Sequence, residues 1–319
     1  MENLSKQYKI IKKGKGAFGT FFNKNYYYLQ ALKDMTFQIE RNDIVGYIGP
    51  NGAGKSTTIK LLAGILQPDQ GRCIIDGRVP WESRKEHVRN IGVMFGQKSQ
   101  LLWDLPPIDT YEMLKGIYRL NEAEYQKMLS LLSDMLMLDD LLHKPVRQMS
   151  LGQRTRCELA ATFIHCPKMV FLDEPTLGLD IEGKKQFHSF IRAINKSLNV
   201  TVFVTTHDLD DVESLCNKLI IINEGKLYFN NTMERLYHDY ALGSKVYIES
   251  KAQQTLTLPP YVTIDSVKGQ TTVVNIDPSV DVGVAIGVIA QSNSIYSIYA
   301  EKPRIEDIIL AIYKKMKTG

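Results

Sequence analysis

The run Gly49-Pro50-Asn51-Gly52-Ala53-Gly54-Lys55-Ser56-Thr57 constrains this chain more than any other, because it fits Gly-x-x-x-x-Gly-Lys-[Ser/Thr]. Its glycines let the backbone curl so that successive N–H groups face inward, at the head of a helix whose partial positive end favours an anion. Lys55 adds a point charge, and the Ser56 hydroxyl is placed to ligate Mg²⁺, which prefers oxygen and arrives with substrate phosphates. The pattern predicts a nucleoside triphosphate site. It requires a strand before it and a helix after it, and the flanks read that way: 43–48 as a strand, 58–66 as a helix with Ile59, Leu62 and Leu66 on one face.

Upstream, residues 1–40 read as two strands joined by a Gly- and Lys-rich insertion. Tyr8 is a candidate to stack on a base, with core packing the competing reading; for Tyr26, Tyr27 and Tyr28 core packing is the stronger one. Downstream, Gln67-Pro68-Asp69-Gln70-Gly71 is expected to end the helix. Residues 73–77 then read as a strand and turn, and 91–96 as a short buried strand that delivers Gln97. From 98 to 145 the composition is helical, with Leu131, Leu132, Met135, Leu136 and Leu138 amphipathic.

Ser150-Leu151-Gly152-Gln153 opens the next helix with capping-box spacing, which is either a plain helix start or a second phosphate contact. The apolar run 169–172 suits a strand buried on both faces of a parallel sheet, and it ends in Asp173-Glu174. Acids at such a strand end face the ligand crevice: one can orient Mg²⁺ and its neighbour can take a proton from water. Residues 200–206 repeat the pattern and present His207. Beyond Tyr240 short alternating strands (245–249, 261–264, 271–276), a helix from Ser279, a strand at 294–299 and a helix over 304–317 read as a small α+β domain.

Composition excludes little but helps: 319 residues, 44% hydrophobic and 23% charged, suit an ordinary globular protein, and a net charge of +4 gives no reason to expect nucleic acid. Lys6, Lys9, Lys12, Lys13, Lys15 and Lys24 make the N-terminal stretch basic, as a solvated loop or as a contact for anionic lipid head groups or an acidic partner. Cys73, Cys157, Cys166 and Cys216 lack metal-like spacing and suit reduced thiols. The longest apolar stretch, 282–290, is too short to span a bilayer, and no secretory leader is visible.

Together these motifs resemble the ATP-binding subunits of ABC transporters over residues 1–240. The resemblance implies an α/β fold: a P-loop ABC-type ATPase core (1–240) with a helical subdomain over about 98–165, and a small C-terminal α+β accessory domain over 241–319. Gly49, Pro50, Asn51, Gly52, Ala53, Gly54, Lys55, Ser56 and Thr57 look like the Walker A, Gln97 the Q-loop glutamine, and Ser150, Leu151, Gly152 and Gln153 the signature, with Leu151 where a glycine is usual. Asp173 and Glu174 match the Walker B acid and the catalytic glutamate, Asp180 the D-loop, and His207 the switch histidine. Tyr8 is favoured as the adenine-stacking aromatic, and Ser56, Gln97 and Asp173 as the Mg²⁺ set.

Family geometry implies that each ATP lies between the Walker A of one chain and the signature of another, so a homodimer with two working sites is expected. It also implies a separate permease at the cytoplasmic face of the membrane, with this chain peripheral to it. The N-terminal insertion, Gln97 followed by Leu101-Leu102-Trp103-Asp104-Leu105-Pro106, and Ser150-Leu151-Gly152-Gln153 look most like the cassettes of ABC-2-type exporters, including drug- and viologen-resistance systems. The alternative is a soluble ABC-type ATPase without a permease. Ribosome-acting relatives would carry two cassettes, and chromosome-organising ones a long coiled coil between the Walker motifs; this sequence has one Walker A and a compact insert.

Overall fold

The structure, a computed structural model, describes residues 1–11, 26–96, 98–240, 245–250, 255–301 and 304–318. Gln97, Lys12, Lys13, Lys15 and Lys24, all singled out from the sequence, lie outside the described residues. The chain forms two compact units, Met1–Asn231 and Thr232–Gly319. The sequence reading put the change of character at residue 240.

The first unit begins with β1 (Glu2–Ile11) and β2 (Tyr26–Met35), which pair antiparallel, and continues with β3 (Ile44–Ile48), α1 (Lys55–Leu62) and β4 (Gln70–Arg72). α2 (Arg84–Asn90) and β5 (Ile91–Phe95) lead into a helical layer of α3 (Pro107–Tyr118), α4 (Glu122–Leu136) and α5 (Leu151–Phe163). β6 (Met169–Asp173), α6 (Ile181–Leu198), β7 (Thr201–Thr205), α7 (Leu209–Leu215), β8 (Lys218–Asn223) and β9 (Lys226–Thr232) complete it. One sheet has the order β5-β6-β7-β3-β8-β9, and a second, β2-β1-β4.

β5, β6, β7, β3 and β8 pair in parallel, and all five residues of β3 and of β7 are buried, as a sheet covered on both faces demands. Tyr47, Phe171 and Phe203 fill its middle; the Tyr47 and Phe203 rings lie 4.9 Å apart, and the Tyr47 hydroxyl and Thr58 Oγ1 share a hydrogen bond of 2.8 Å that satisfies a buried phenol. Register decides what this sheet presents. Asp173 is paired with Phe95 and Thr205, and Thr205 with Tyr47, so the carboxyl ends of four neighbouring strands finish level along one edge.

The helical layer is pinned rather than merely stacked. The Tyr111 hydroxyl of α3 donates to Cys157 O of α5 at 3.0 Å, and α4 starts on a full capping box between Asn121 and Glu124. Leu132 and Leu136 are buried on α4, as the amphipathic reading expects.

The second unit begins with α8 (Met233–Asp239), β10 (Lys245–Ser250), β11 (Val262–Lys268) and β12 (Thr271–Ile276), followed by α9 (Val282–Ser292), β13 (Ile295–Glu301) and α10 (Ile305–Thr318). Its sheet has the order β11-β12-β10-β13, all antiparallel, with Val246, Ile248, Val274, Ile276, Ala285 and Ile289 as its core.

Four local expectations need correction. α1 ends at Leu62, not at residue 66, because Gly64 turns the chain at φ 69° with Pro80 O where a Cβ would stand, 2.8 Å away. Of the strand and turn expected at 73–77, the strand is instead β4 at Gln70–Arg72, which pairs with β1, while the turn is present at Asp76 and Gly77 between the bridged Ile75 and Arg78. Tyr26, Tyr27 and Tyr28 are 44%, 49% and 64% exposed, so they are surface residues of β2 rather than core. Lys6 and Lys9 belong to β1 rather than to a solvated loop: Lys6 pairs with Asp69 at 2.9 Å, and Lys9 lies over the Tyr26 ring.

Candidate functional site

The loop 49–54 joins β3 to α1 with Gly54, at φ 107°, as the N-cap. A Cβ on Gly54 would stand 2.6 Å from Ala31 O, and one on Gly49 2.4 Å from Ile222 O, so both positions are closed to any other residue. Gly52 differs: its φ is 82°, but nothing lies within 4 Å of its missing Cβ. Lys55 is 8% exposed, and its Nζ donates to Gly49 O at 2.7 Å and to Pro50 O at 3.3 Å, closing the loop on itself. Burial lowers the proton affinity of this ammonium, and the carboxylates of Glu174 and Asp173 oppose that.

The acids arrive on β6. The Ser56 hydroxyl donates to Asp173 Oδ2 at 3.2 Å, and Thr205 Oγ1 donates to Asp173 Oδ1 at 2.5 Å. The same Thr205 oxygen accepts the Glu174 N–H at 3.2 Å, while Thr205 O accepts it at 3.0 Å. Glu174 sits at φ 51°, a left-handed conformation that costs a non-glycine residue about 1–3 kcal/mol and is held here by those bonds. Its Oε1 lies 3.5 Å from His207 Nδ1, and the imidazole is 57% exposed.

Two clefts open on this constellation and share Ser56 and Glu174. One, of about 290 Å³, has Tyr8, Leu29 and Gln30 on one side and Asn51, Gly52, Gly54, Lys55 and Thr57 on the other. The Tyr8 hydroxyl is 3.3 Å from Thr57 Oγ1. The other, of about 350 Å³, lies between Phe95, Gly96 and Lys98 on one strand end and Asp173, Glu174 and Leu177 on the next.

The structure does not bring every sequence-predicted residue to this place. Ser150, Leu151, Gly152, Gln153 and Asp180 line neither cleft. Ser150 caps α5: its Oγ accepts the Gln153 N–H at 3.3 Å, and Gln153 Oε1 accepts the Ser150 N–H at 3.1 Å. Asp180 caps α6 by accepting the Gly183 N–H at 2.7 Å. The start of α5 and the turn after β6 touch, since a Cβ on Gly178 (φ 78°) would meet Leu151 Cδ2 at 2.9 Å.

Sequence reasoning passed over Thr205, although its hydroxyl bonds both acids, and the wall of Leu29, Gln30 and Ala31. A hydroxyl as the last residue of a buried strand was the available signal for Thr205; for β2 there was none, because its place depends on antiparallel pairing of Leu29 with Tyr8.

Residues 32–177 match the family described as ABC transporter. The ABC transporter ATP-binding protein NatA of Bacillus subtilis is 31% identical over 209 residues, 66% of this chain and 85% of NatA. The probable multidrug ABC transporter ATP-binding protein YbhF of Escherichia coli is 32% identical over 206 residues, 65% of this chain and 35% of YbhF. Among solved structures, the dimeric post-hydrolysis state of the ATP-binding cassette MJ0796 bound to ADP and Pi superposes with a TM-score of 0.60 at 24% identity, covering 73% of this chain and 97% of that one. A phosphate loop facing two strand-end acids, in a chain that matches NatA over most of NatA's length, settles the family: the chain belongs to the ATP-binding proteins of ABC transporters.

Proposed function

We propose that this chain hydrolyses ATP as one half of a dimer clamped around two nucleotides, and that closure of the dimer drives a separate membrane permease, in the direction of export. The observation that carries the reading is the division of the motifs. Loop residues and the two acids line one pair of clefts, with His207 3.5 Å from Glu174 at their edge, while Ser150 and Gly152 line neither, which supports a signature offered to a second copy.

Within one half, the loop N–H groups and Lys55 hold the phosphates, once Lys55 leaves Gly49 O and Pro50 O, and Tyr8 stacks on the adenine. Ser56 and Asp173 are the Mg²⁺ positions, with Gln97 expected from the motif alone. Among the described residues no group of three or more His, Cys, Asp or Glu could hold a metal, so a cation here depends on oxygen from the nucleotide and water. Bound there, Mg²⁺ supplies positive charge against the phosphate oxygens. Glu174 takes the proton of the attacking water, and His207, beside it, holds that carboxylate and the terminal phosphate in place. Ser150, Leu151, Gly152 and Gln153 of one chain close the site of the other, with Asp180 beside them.

No helix among the described residues is long and apolar enough to cross a membrane, which supports a separate permease. Leu102, Trp103 and Leu105 are exposed next to one another, and this apolar strip is the proposed dock. YbhF, named for multidrug transport, supports export, and the dimer of MJ0796 supports pairing. The test is Glu174→Gln, purified from membranes with ATP and a photo-cross-linker replacing Trp103. Hydrolysis should fall about 10²–10⁴-fold while ATP binding persists, a dimer should accumulate, and the cross-linker should capture an integral membrane protein. Near wild-type hydrolysis would remove Glu174 as the base; a dimer without capture would favour the soluble ATPase.

A further inference from the structure

Four residues of α5, counting its N-cap, follow one another at intervals of four: Ser150, Arg154, Glu158 and Thr162. That spacing lays them along one slowly winding stripe of the helix. Apart from the cap, each member of the stripe grips the same segment, residues 99–103. The Arg154 guanidinium lies 5.0 Å from the centre of the Trp103 ring. Thr162 Oγ1 accepts from Gln100 Nε2 at 3.1 Å, and the same amide donates to Val93 O at 3.0 Å.

Glu158 is the centre of the arrangement. Its carboxylate, on a residue 7% exposed, accepts the Ser99 hydroxyl, the Gln100 N–H at 3.0 and 3.1 Å, and the Leu101 N–H at 3.4 Å. Burial alone pushes its proton affinity up, and the bonds from Ser99, Gln100 and Leu101 work against that. A buried carboxylate is costly unless several donors face it, and here the donors all come from one irregular segment with no ladder of its own. The far end of that segment is fixed elsewhere: Leu102 N–H donates to Thr110 Oγ1 at 3.2 Å, and Trp103 O accepts from Arg147 N–H at 3.0 Å.

We infer that Glu158 is a positioning residue that clamps the strap 99–103 to α5, so that displacement of the exposed Trp103 and displacement of Ser150 are one motion. A helix of 13 residues transmits movement along its axis with little loss, and the clamp lies two turns from the cap. This rests on the proposed function, in which Ser150 closes the partner's site and the strip around Trp103 meets the permease. It adds a residue to which neither motif spacing nor the nucleotide clefts assign a role.

The test uses the full chain with Trp81→Phe, which leaves Trp103 as the sole tryptophan. With ATP and Mg²⁺, Trp103 emission should change as the dimer forms. Glu158→Ala should abolish that change and lower kcat about tenfold, with the affinity for a fluorescent ATP analogue within twofold of the parent. Glu158→Gln, which keeps one carbonyl acceptor, should restore part of both, and Ser99→Ala, which removes a single contact, should weaken the response without unfolding the chain. An unaltered Trp103 response and kcat in Glu158→Ala, or in Ser99→Ala if Glu158→Ala does not fold, would overturn the clamp. Absence of ATP-dependent dimerisation in the parent would instead overturn the functional reading beneath it.

Discussion

Thr205 spends both halves of its hydroxyl on the site, donating to Asp173 and accepting from Glu174. Thr205→Val keeps the shape and removes both bonds, yet the Glu174 N–H retains Thr205 O. The Mg²⁺ concentration for half-maximal hydrolysis should therefore rise about 10- to 100-fold, as when an outer partner of a ligating group is lost. Urea denaturation should show a loss of about 1–3 kcal/mol from the unpaired carboxylate oxygen. Unchanged Mg²⁺ dependence would show that Asp173 is oriented without it. His165 is informative in a different way. It is buried, with Nε2 2.8 Å from Ile91 O and its ring stacked on Tyr118, and burial pushes its pKa from 6.5 down to about 4. Between those values the unfolded chain binds a proton that the folded chain refuses, so stability is full above pH 6.5 and falls as pH drops toward 4. The slope should approach 1.4 kcal/mol per pH unit, and urea titrations of His165→Gln across that window should show it reduced.

At the scale of elements, the phosphate loop offers a contrast between two left-handed glycines. Gly52→Ala meets no atom and should cost about 1–2 kcal/mol of backbone strain, with nucleotide binding weakened but present. Gly54→Ala must push Ala31 O and the Leu32 side chain aside at the cap of α1, and binding of a fluorescent ATP analogue should disappear. Equal loss in both would mean that φ, not the neighbouring strand, sets the tolerance. The loop itself was legible from spacing alone, and so was the α5 start, since Ser150 and Gln153 form both halves of the expected capping box. Carboxylates at the end of a buried apolar run were legible too, because a strand covered on both faces has only its ends for polar chemistry. What stayed hidden has a common cause. Thr205 beside Asp173, Leu29 beside Tyr8, and Glu158 beneath Ser99 are contacts between residues 32, 21 and 59 positions apart, fixed by strand register and helix packing that no local pattern encodes. α1 stops short of its apolar pattern for a related reason: Gly64 ends it where Pro80 arrives from a later segment.

Among the described residues each of the two units has buried apolar residues of its own, in the first behind the phosphate loop and in the second Val246, Ile248, Val274, Ile276, Ala285 and Ile289. Calorimetry should therefore resolve two transitions, and an ATP analogue at 100 times its Kd should stabilise only the first unit, by about 2.7 kcal/mol. A single transition moving as one with ligand would mean that the cores melt together. The contact between Gly178 and Leu151 bears on how a pair of such molecules would keep time. Glu174 lies four residues before Gly178, and Ser150 immediately before Leu151, so the proposed base and the residue proposed to close the partner's site flank one seam. In a pair built on the proposed plan, a shift of the turn after Glu174 in one chain would reach the Leu151 side chain beside it, so the two sites would not be mechanically independent.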